Sequence, residues 1–321
     1  MSHRTSNPPE RAGRHEKRAR KPARKPTKID VAFTLLMAVA SLTFMLAHDA
    51  DAEAIHVERF GLASGDPILL IPGLSCGGDV WRGTVEALAA DHDLHVLTLA
   101  GFAGEPPLDG AEPFLRRVRD AIAAYVEDQD LERPTLVGHS LGGFLAYWVA
   151  SEYPDRVGAV VAVDGLPFLG ALQSSEATAE STRAQAEQMR STFAGMTAEQ
   201  FRGQNEMALR TMIRDVAEIA RVAATSGDSD PATVGRAIAE LMTVDLRADL
   251  AKITVPVLQF GAFGGLPSDE LRRVMADRYR EQIAAAPDAR FVEAPTLHFV
   301  MLDDPDFFLA QLRGFLAEVR R

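Results

Sequence analysis

An α/β architecture, with a mostly parallel central sheet and helices on both faces, is what this chain predicts. Two observations carry that expectation. Short apolar runs at 67–71, 95–99, 136–137, 159–163, 255–260 and 290–292 alternate with longer helical patterns. Strands of a parallel sheet are apolar throughout because helices cover both of its faces. The composition, 47% hydrophobic and 25% charged over 321 residues, suits a folded protein with one large domain and an insertion.

In chain order, residues 1–28 are rich in Arg, Lys and Pro and nearly free of apolar side chains, a composition expected to stay disordered. Residues 31–47 form an almost unbroken apolar run, and Ala50-Asp51-Ala52 behind it has the small-x-small form of a cleavage site. Basic flank, apolar core and such a site together make a secretory signal. The run is short for a membrane span, and the flank is long for a signal. Residues 29–52 are therefore expected to be a signal peptide or an uncleaved signal-anchor, unless translation starts further in. The protein is expected to be exported (periplasmic or extracellular) or anchored to a membrane by residues 31–47. A nucleic-acid arm is the competing reading of the basic stretch, and the apolar run directly behind it speaks against that.

The folded part is expected over 53–321. Ile55 to Arg59 alternates in character and suits an antiparallel edge strand. The run at 67–71 ends in Pro72-Gly73-Leu74-Ser75, with Trp81 a few residues on. After the run at 95–99, Gly101-Phe102-Ala103-Gly104 has the wrong glycine spacing for a dinucleotide fingerprint and reads as a turn near the pocket floor. Thr135 to Gly143 is the most informative stretch: Leu136 and Val137 lead into Gly138-His139-Ser140-Leu141-Gly142, which satisfies G-x-S-x-G, and a helical segment follows from Phe144. Strand, sharp turn and helix are the setting in which that pentapeptide presents a nucleophile. The serine at the apex takes a strained backbone conformation, and glycines two residues either side let strand and helix pass closely. A plain Gly/Ser-rich turn is the competing reading, and the flanking elements count against it.

A serine hydroxyl needs a base within hydrogen-bond reach. His298 suits that role: it follows a short strand at 289–292 and a loop, and precedes Asp303-Asp304-Pro305, a strong helix-start signal for a last helix over 306–319. His3 and His15 lie in the polar tail, His48 in the leader, His56, His92 and His95 around early strands, and His139 inside the elbow.

The chain resembles the α/β-hydrolase superfamily, in its broad, cap-bearing serine-hydrolase form, over nearly its whole length after residue 53. The resemblance rests on Ile68-Leu69-Leu70-Ile71-Pro72-Gly73-Leu74 with Trp81, on the elbow at Ser140, on Thr254-Val255-Pro256-Val257-Leu258, and on His298-Phe299 before Asp304-Pro305. It implies the α/β-hydrolase fold, with oxyanion donors from the backbone N–H groups of Leu74 and Leu141. The family usually begins that first loop with His-Gly; Pro72-Gly73 leaves the role intact because only backbone is used. It also implies an aspartate just after the penultimate strand, where this chain reads Gly261-Ala262-Phe263-Gly264-Gly265-Leu266-Pro267-Ser268-Asp269. Asp269 comes late and suits a helix N-terminus beside a Ser268 N-cap. The other candidate is Asp164, at the end of the run 159–163, where a carboxylate would face the ligand side of the sheet. Asp164 is preferred as the group that orients His298, with Asp269 the alternative acid; both satisfy the order Ser, acid, His.

Between about 167 and 253, Ala, Gln, Glu, Met and Arg dominate, with three to five helices expected and no strands, at the place where the family carries its helical cap. Met189, Phe193, Met196, Phe201, Met207, Met212 and Ile213 offer apolar area for a lid or, more simply, for the cap's own core. Removing residues 1–52 takes ten basic and five acidic groups from totals of 34 and 45, leaving a net charge of about −16. So acidic a surface argues against nucleic acid, and against a membrane except through the apolar leader. Cys76 is the only cysteine, so no intrachain disulfide forms, and it reads as a small buried residue rather than a second nucleophile. No cofactor-binding motif and no metal-ligand spacing is present.

These features predict a serine hydrolase acting on an ester, thioester or related acyl bond, with a small or medium-sized apolar acyl substrate rather than a polymer. A carbon–carbon hydrolase or a perhydrolase on the same residues, and a non-catalytic ligand-binding protein with a hydrolase shell, are the alternatives. A dehalogenase is disfavoured because the elbow residue is Ser rather than Asp.

Overall fold

The computed structural model describes residues 53–110, 113–172 and 174–319; the expectations for residues 1–28 and 29–52 lie outside the described residues. Seven strands, β1 (Ile55–Gly61), β2 (Asp66–Ile71), β3 (His92–Leu99), β4 (Thr135–His139), β5 (Ala159–Val163), β6 (Val257–Ala262) and β7 (Ala289–Ala294), pair in the order β1-β3-β2-β4-β5-β6-β7. β1 runs antiparallel to β3, as its alternating character suggests, and the other pairings are parallel.

Successive strand residues feed two separate cores, which is the period-2 geometry of a sheet buried on both sides. Leu69, Ile71, Leu136, Val160 and Ala162 pack on one face with α2 (Phe114–Asp128) and α3 (Leu141–Glu152). Ile68, Leu70, Val137, Val161 and Val163 pack on the other with α1 (Arg82–Leu88) and α10 (Pro305–Val319).

Most strands run one or two residues past the expected bounds, and two of the differences have a clear physical reason. β6 begins at Val257 rather than 255, because Pro256 has no N–H to give to the ladder and only its carbonyl accepts, from Val160. β3 begins at His92, three residues before the apolar run, because its polar start is internally paired. Arg59 forms a two-point ion pair with Asp93, and His95 Nδ1 lies 2.7 Å from the Tyr125 hydroxyl. Polar residues hid that half-strand from a search for apolar runs. The last helix likewise starts at Pro305, its N1 position, after the short α9 (Val300–Asp303).

Four α-helices lie between β5 and β6: α4 (Ala179–Ala194), α5 (Ala198–Met212), α6 (Val216–Ser226) and α7 (Pro231–Thr243). Each starts on a side-chain cap: Thr178 and Thr197 in capping boxes, Asp215 and Asp230 as single acceptors. The insertion is tied to the sheet loops. Ser229 Oγ accepts from the Ala103 N–H at 2.8 Å and donates to the Ser75 carbonyl, and the Asp230 N–H donates to Gly101 O at 2.7 Å. The turn at 101–104 therefore packs against the inserted helices and not at a pocket floor, and a Cβ on Gly101 would meet Thr233. Among the described residues no helix is long and apolar enough to cross a membrane.

Candidate active site

β4 ends at His139, α3 starts at Leu141, and the single residue between them, Ser140, has φ 53° and ψ −114°. A left-handed φ at a residue with a Cβ costs about 1–3 kcal/mol. The turn is held by the Ser140 N–H donating to Val163 O at 2.9 Å and by Phe144 N–H donating to Ser140 O at 3.1 Å. Glycine is required on both flanks. A Cβ on Gly138 would sit 2.1 Å from the Gly142 carbonyl, and one on Gly142 would sit 2.2 Å from the carbonyl of Ile71. The elbow thus presses directly on the loop that follows β2.

The loop after β7 carries His298. Its Nδ1 lies 2.5 Å from Oδ2 of Asp164, the residue just past β5. A carboxylate only accepts, so Nδ1 carries the hydrogen and Nε2 is left as a lone-pair base. Asp164 is itself set firmly. Its Oδ1 accepts from the Ala262 N–H at 2.9 Å and from the Tyr279 hydroxyl at 2.7 Å, and its own N–H donates to Phe260 O. Three donors thus converge on one carboxylate and fix its orientation. The Tyr279 phenol is pushed well above its ordinary pKa, first by burial and then by the adjacent Asp164, so it remains a donor.

Asp269, the alternative acid, is not at this site. It begins α8 (Asp269–Ile283), its side chain is 78% exposed, and it pairs with Arg272. Ser268 caps that helix through the Leu271 N–H. The helix start claimed Asp269, which corrects that alternative.

Leu141 is the first residue of α3, so its N–H has no carbonyl four residues back within the helix to bond. Leu74 follows Gly73, where an added Cβ would lie 2.7 Å from His139 Nδ1 and 3.3 Å from Ser140 Cβ. Glycine at 73 is therefore what lets the Leu74 loop lie against the serine. His139 is buried, with Nε2 3.1 Å from the His298 carbonyl, so Nε2–H donates there and Nδ1 carries the lone pair. Burial, and next the neighbouring His298, hold His139 well below its ordinary pKa.

Ser140, Asp164 and His298 line one cavity of about 120 Å³, with Tyr279 and four leucines, Leu166, Leu169, Leu172 and Leu241. The apolar lining is supplied by the segment after β5 and by α7. None of the residues expected to form a lid surface is in that lining: Phe201 and Ile213 are buried in the cores, Phe193, Met196 and Met212 pack against them, and Met207 is 71% exposed. Cys76 is buried, and burial pushes its thiol up to about 12, so it is no nucleophile. No group of three or more His, Cys, Asp or Glu that could hold a metal ion is found among the described residues.

Two contributors escaped the sequence reading. Tyr279 lies in a charged helical pattern where Ala276, Tyr279 and Ile283 form the buried stripe, a spacing that signals burial but not a hydroxyl partner. Asp303, read as part of a helix start, has a fully buried side chain. Its Oδ2 accepts from the Leu297 N–H and its Oδ1 from the Arg214 N–H, tying the histidine loop to the residue that follows α5 and Ile213.

The model of the Alpha/beta hydrolase family matches residues 68–311. Among curated proteins, the chain is 26% identical to the pimeloyl-[acyl-carrier protein] methyl ester esterase of Aliivibrio salmonicida, over 78% of this chain and 92% of that protein. It is 27% identical to the esterase of the same name from Aeromonas hydrophila, over 75% and 95%. Among solved structures it resembles the enol-lactonase of Burkholderia xenovorans, with a TM-score of 0.67 and 18% identity over 82% of this chain and 96% of that one. A thermophilic esterase from Thermogutta terrifontis gives a TM-score of 0.63 at 22% identity, over 83% and 94%. At those identities the structural likenesses speak for the fold.

Proposed function

The chain belongs to the alpha/beta hydrolase family, and from that premise we propose that it is a serine hydrolase cleaving an ester or related acyl bond through Ser140, His298 and Asp164. The observation that carries the reading is the Asp164–His298 contact at 2.5 Å in the cavity that Ser140 also lines. Ser140 Oγ attacks the carbonyl carbon while His298 Nε2 takes its proton. Asp164 holds the imidazole in the tautomer with hydrogen on Nδ1 and stabilises the imidazolium that forms. The carbonyl oxygen, now negative, is received by the N–H groups of Leu74 and Leu141. His298 returns the proton to the leaving group, and water, activated by the same imidazole, releases the acid from Ser140.

The esterase names of the curated relatives agree with this chemistry. The one sequence feature that favoured a binding protein without turnover was the missing acid after the penultimate strand, and the contact of Asp164 with His298 Nδ1 supports turnover instead. The reading includes an apolar acyl substrate and export or anchoring through residues 29–52, which mass measurement of the mature N-terminus tests. The central test is labelling by a fluorophosphonate together with turnover of a short p-nitrophenyl ester. Both are expected in the wild-type chain and in Cys76→Ala, and both are expected to vanish in Ser140→Ala. Labelling that survives in Ser140→Ala overturns the assignment.

A further inference from the structure

The cavity around Ser140 is small, and Leu169, Leu172 and Leu241, all between β5 and β6, form part of its wall. Its volume is about 120 Å³, less than an engineered apolar cavity of roughly 150 Å³ that just accepts benzene. Apart from Ser140, Asp164 and His298, its side chains are Leu166, Leu169, Leu172, Leu241 and the Tyr279 ring. No Lys or Arg is among them, and the single carboxylate already accepts from three donors.

We infer that the acyl group this enzyme accepts is short and uncharged, on the order of two to five carbons, with Leu241 of α7 closing the far end of the cavity. The inference rests on the hydrolase reading, because only in an acyl-enzyme does one part of the substrate stay bonded to Ser140. That part must fit the space the serine faces, while the leaving group departs. A chain longer than the cavity has to displace a leucine of its wall or run out through its open mouth, where the extra carbons stay in water; Leu241 is 7% exposed and belongs to the core on the α2 and α3 side of the sheet. Moving it would open packing shared with its neighbours, which interiors resist. A second carboxylate at the end of the acyl chain would be buried among leucines beside Asp164 with no Lys or Arg of the lining to meet it, and Arg278 is already turned to the Leu172 carbonyl, so it would be disfavoured. The specificity is therefore expected to separate butyrate esters from half-esters of dicarboxylic acids of the same length.

The experiment measures kcat/KM on p-nitrophenyl acetate, butyrate, hexanoate and octanoate and on mono-p-nitrophenyl succinate, with fluorophosphonate labelling of Ser140 run alongside. Acetate or butyrate is expected to be best, with octanoate and the succinate half-ester each at least tenfold lower. Leu241→Ala is expected to move the optimum toward hexanoate or octanoate. Leu172→Ala, which enlarges the cavity from the segment after β5, does the same if Leu241→Ala fails to fold. A wild-type profile that is flat, or that peaks at octanoate, overturns the inference while labelling of Ser140 leaves the hydrolase reading standing. An unchanged optimum in a folded Leu241→Ala variant overturns the role of Leu241. Absence of labelling and of all turnover instead defeats the hydrolase reading, and with it this inference.

Discussion

Replacing Asp164 by Asn tests the orientation of His298, because the structure dictates how the amide must sit. Both the Ala262 N–H and the Tyr279 O–H point at Oδ1, at 2.9 and 2.7 Å, and only His298 Nδ1 faces Oδ2. An amide offers one acceptor and one donor group, so its oxygen takes the Oδ1 place to satisfy two donors. Its NH2 then falls where Oδ2 was. There it donates to His298 Nδ1, which forces the imidazole hydrogen onto Nε2, the nitrogen that must accept from Ser140. The wrong tautomer, and the loss of a charge facing the imidazolium, cost about 10⁴-fold in a serine-hydrolase triad, or ~5.4 kcal/mol of barrier at 1.36 kcal/mol per decade. Because two of the three hydrogen bonds survive, the variant is expected to melt within a few degrees of the wild type.

The assay is kcat/KM on p-nitrophenyl butyrate for Asp164→Asn, Asp269→Asn and Ser140→Ala, with thermal melts of each. Asp164→Asn is expected to fall about 10³- to 10⁴-fold. Asp269→Asn, which disturbs only an exposed pair with Arg272, is expected to stay within twofold of wild type. If Asp164→Asn keeps more than a tenth of wild-type activity while Ser140→Ala is dead, the orientation of His298 by Asp164 is refuted.

Two further expectations follow from the same neighbourhood. Tyr279→Phe removes one of the two donors that fix Asp164 Oδ1, so kcat/KM on p-nitrophenyl butyrate is expected to fall about tenfold, the size of one lost hydrogen bond of roughly 1.4 kcal/mol; an unchanged kcat/KM counts against the positioning role. His139, held neutral by burial, has a folded-state pKa below its unfolded value of about 6.5. Its contribution to stability is full above that value and is lost as pH falls below it, at up to ~1.4 kcal/mol per pH unit. His139→Gln, which keeps a donor for the His298 carbonyl but does not titrate, is expected to flatten the drop in denaturant midpoint between pH 7 and 5.5. Equal slopes for the two proteins would falsify it. His95, also held below its ordinary pKa first by burial, leaves a residual slope in both proteins.

What could be read from the sequence divides by the range of the interactions involved. The elbow was legible because its determinants lie within five residues: Gly138 and Gly142 are required by contacts local to the turn and to the β2 loop. The inserted helices were legible in outline from the Ala, Gln, Glu, Met and Arg content between about 167 and 253; their starts rest on capping bonds from Thr178, Thr197, Asp215 and Asp230 that reach only two or three residues. The lining of the cavity was not. Met and Phe residues of the insertion suggest a lid, yet Phe193, Met196, Phe201 and Met212 fill or flank the cores, Met207 faces solvent, and the leucines that line the cavity with Ser140 come from 166–172 and from α7. An apolar residue reports that it will be buried, and only packing decides against what. The acid was ambiguous for the same reason. Its partners lie 98, 115 and 134 positions away, at Ala262, Tyr279 and His298, and no local pattern encodes them.

The placement of that acid on β5 rather than β6 follows from how adjacent strand ends share one space. β5 and β6 are neighbours in register, with Val163 opposite Phe260, so their ends stand one strand spacing apart, about 4.8 Å. Asp164 takes a left-handed φ of 52°, a conformation aspartate tolerates better than most residues, and it remains bonded to β6 through Phe260 O. From there its carboxylate reaches the Ala262 N–H at the end of β6. The charge thus hangs over the boundary between the strands, where a side chain rooted on either could deliver it. With that duty met from β5, the loop after β6 is free to pack. Phe263 stacks edge-on to Tyr279 at 5.3 Å, steadying the ring whose hydroxyl holds Asp164. Gly264 lies so close to the Arg214 guanidinium and the Pro295 carbonyl that a Cβ would collide with both. The residues that stand where an acid was expected therefore buttress Asp164, and they do so beside the same loop that carries His298.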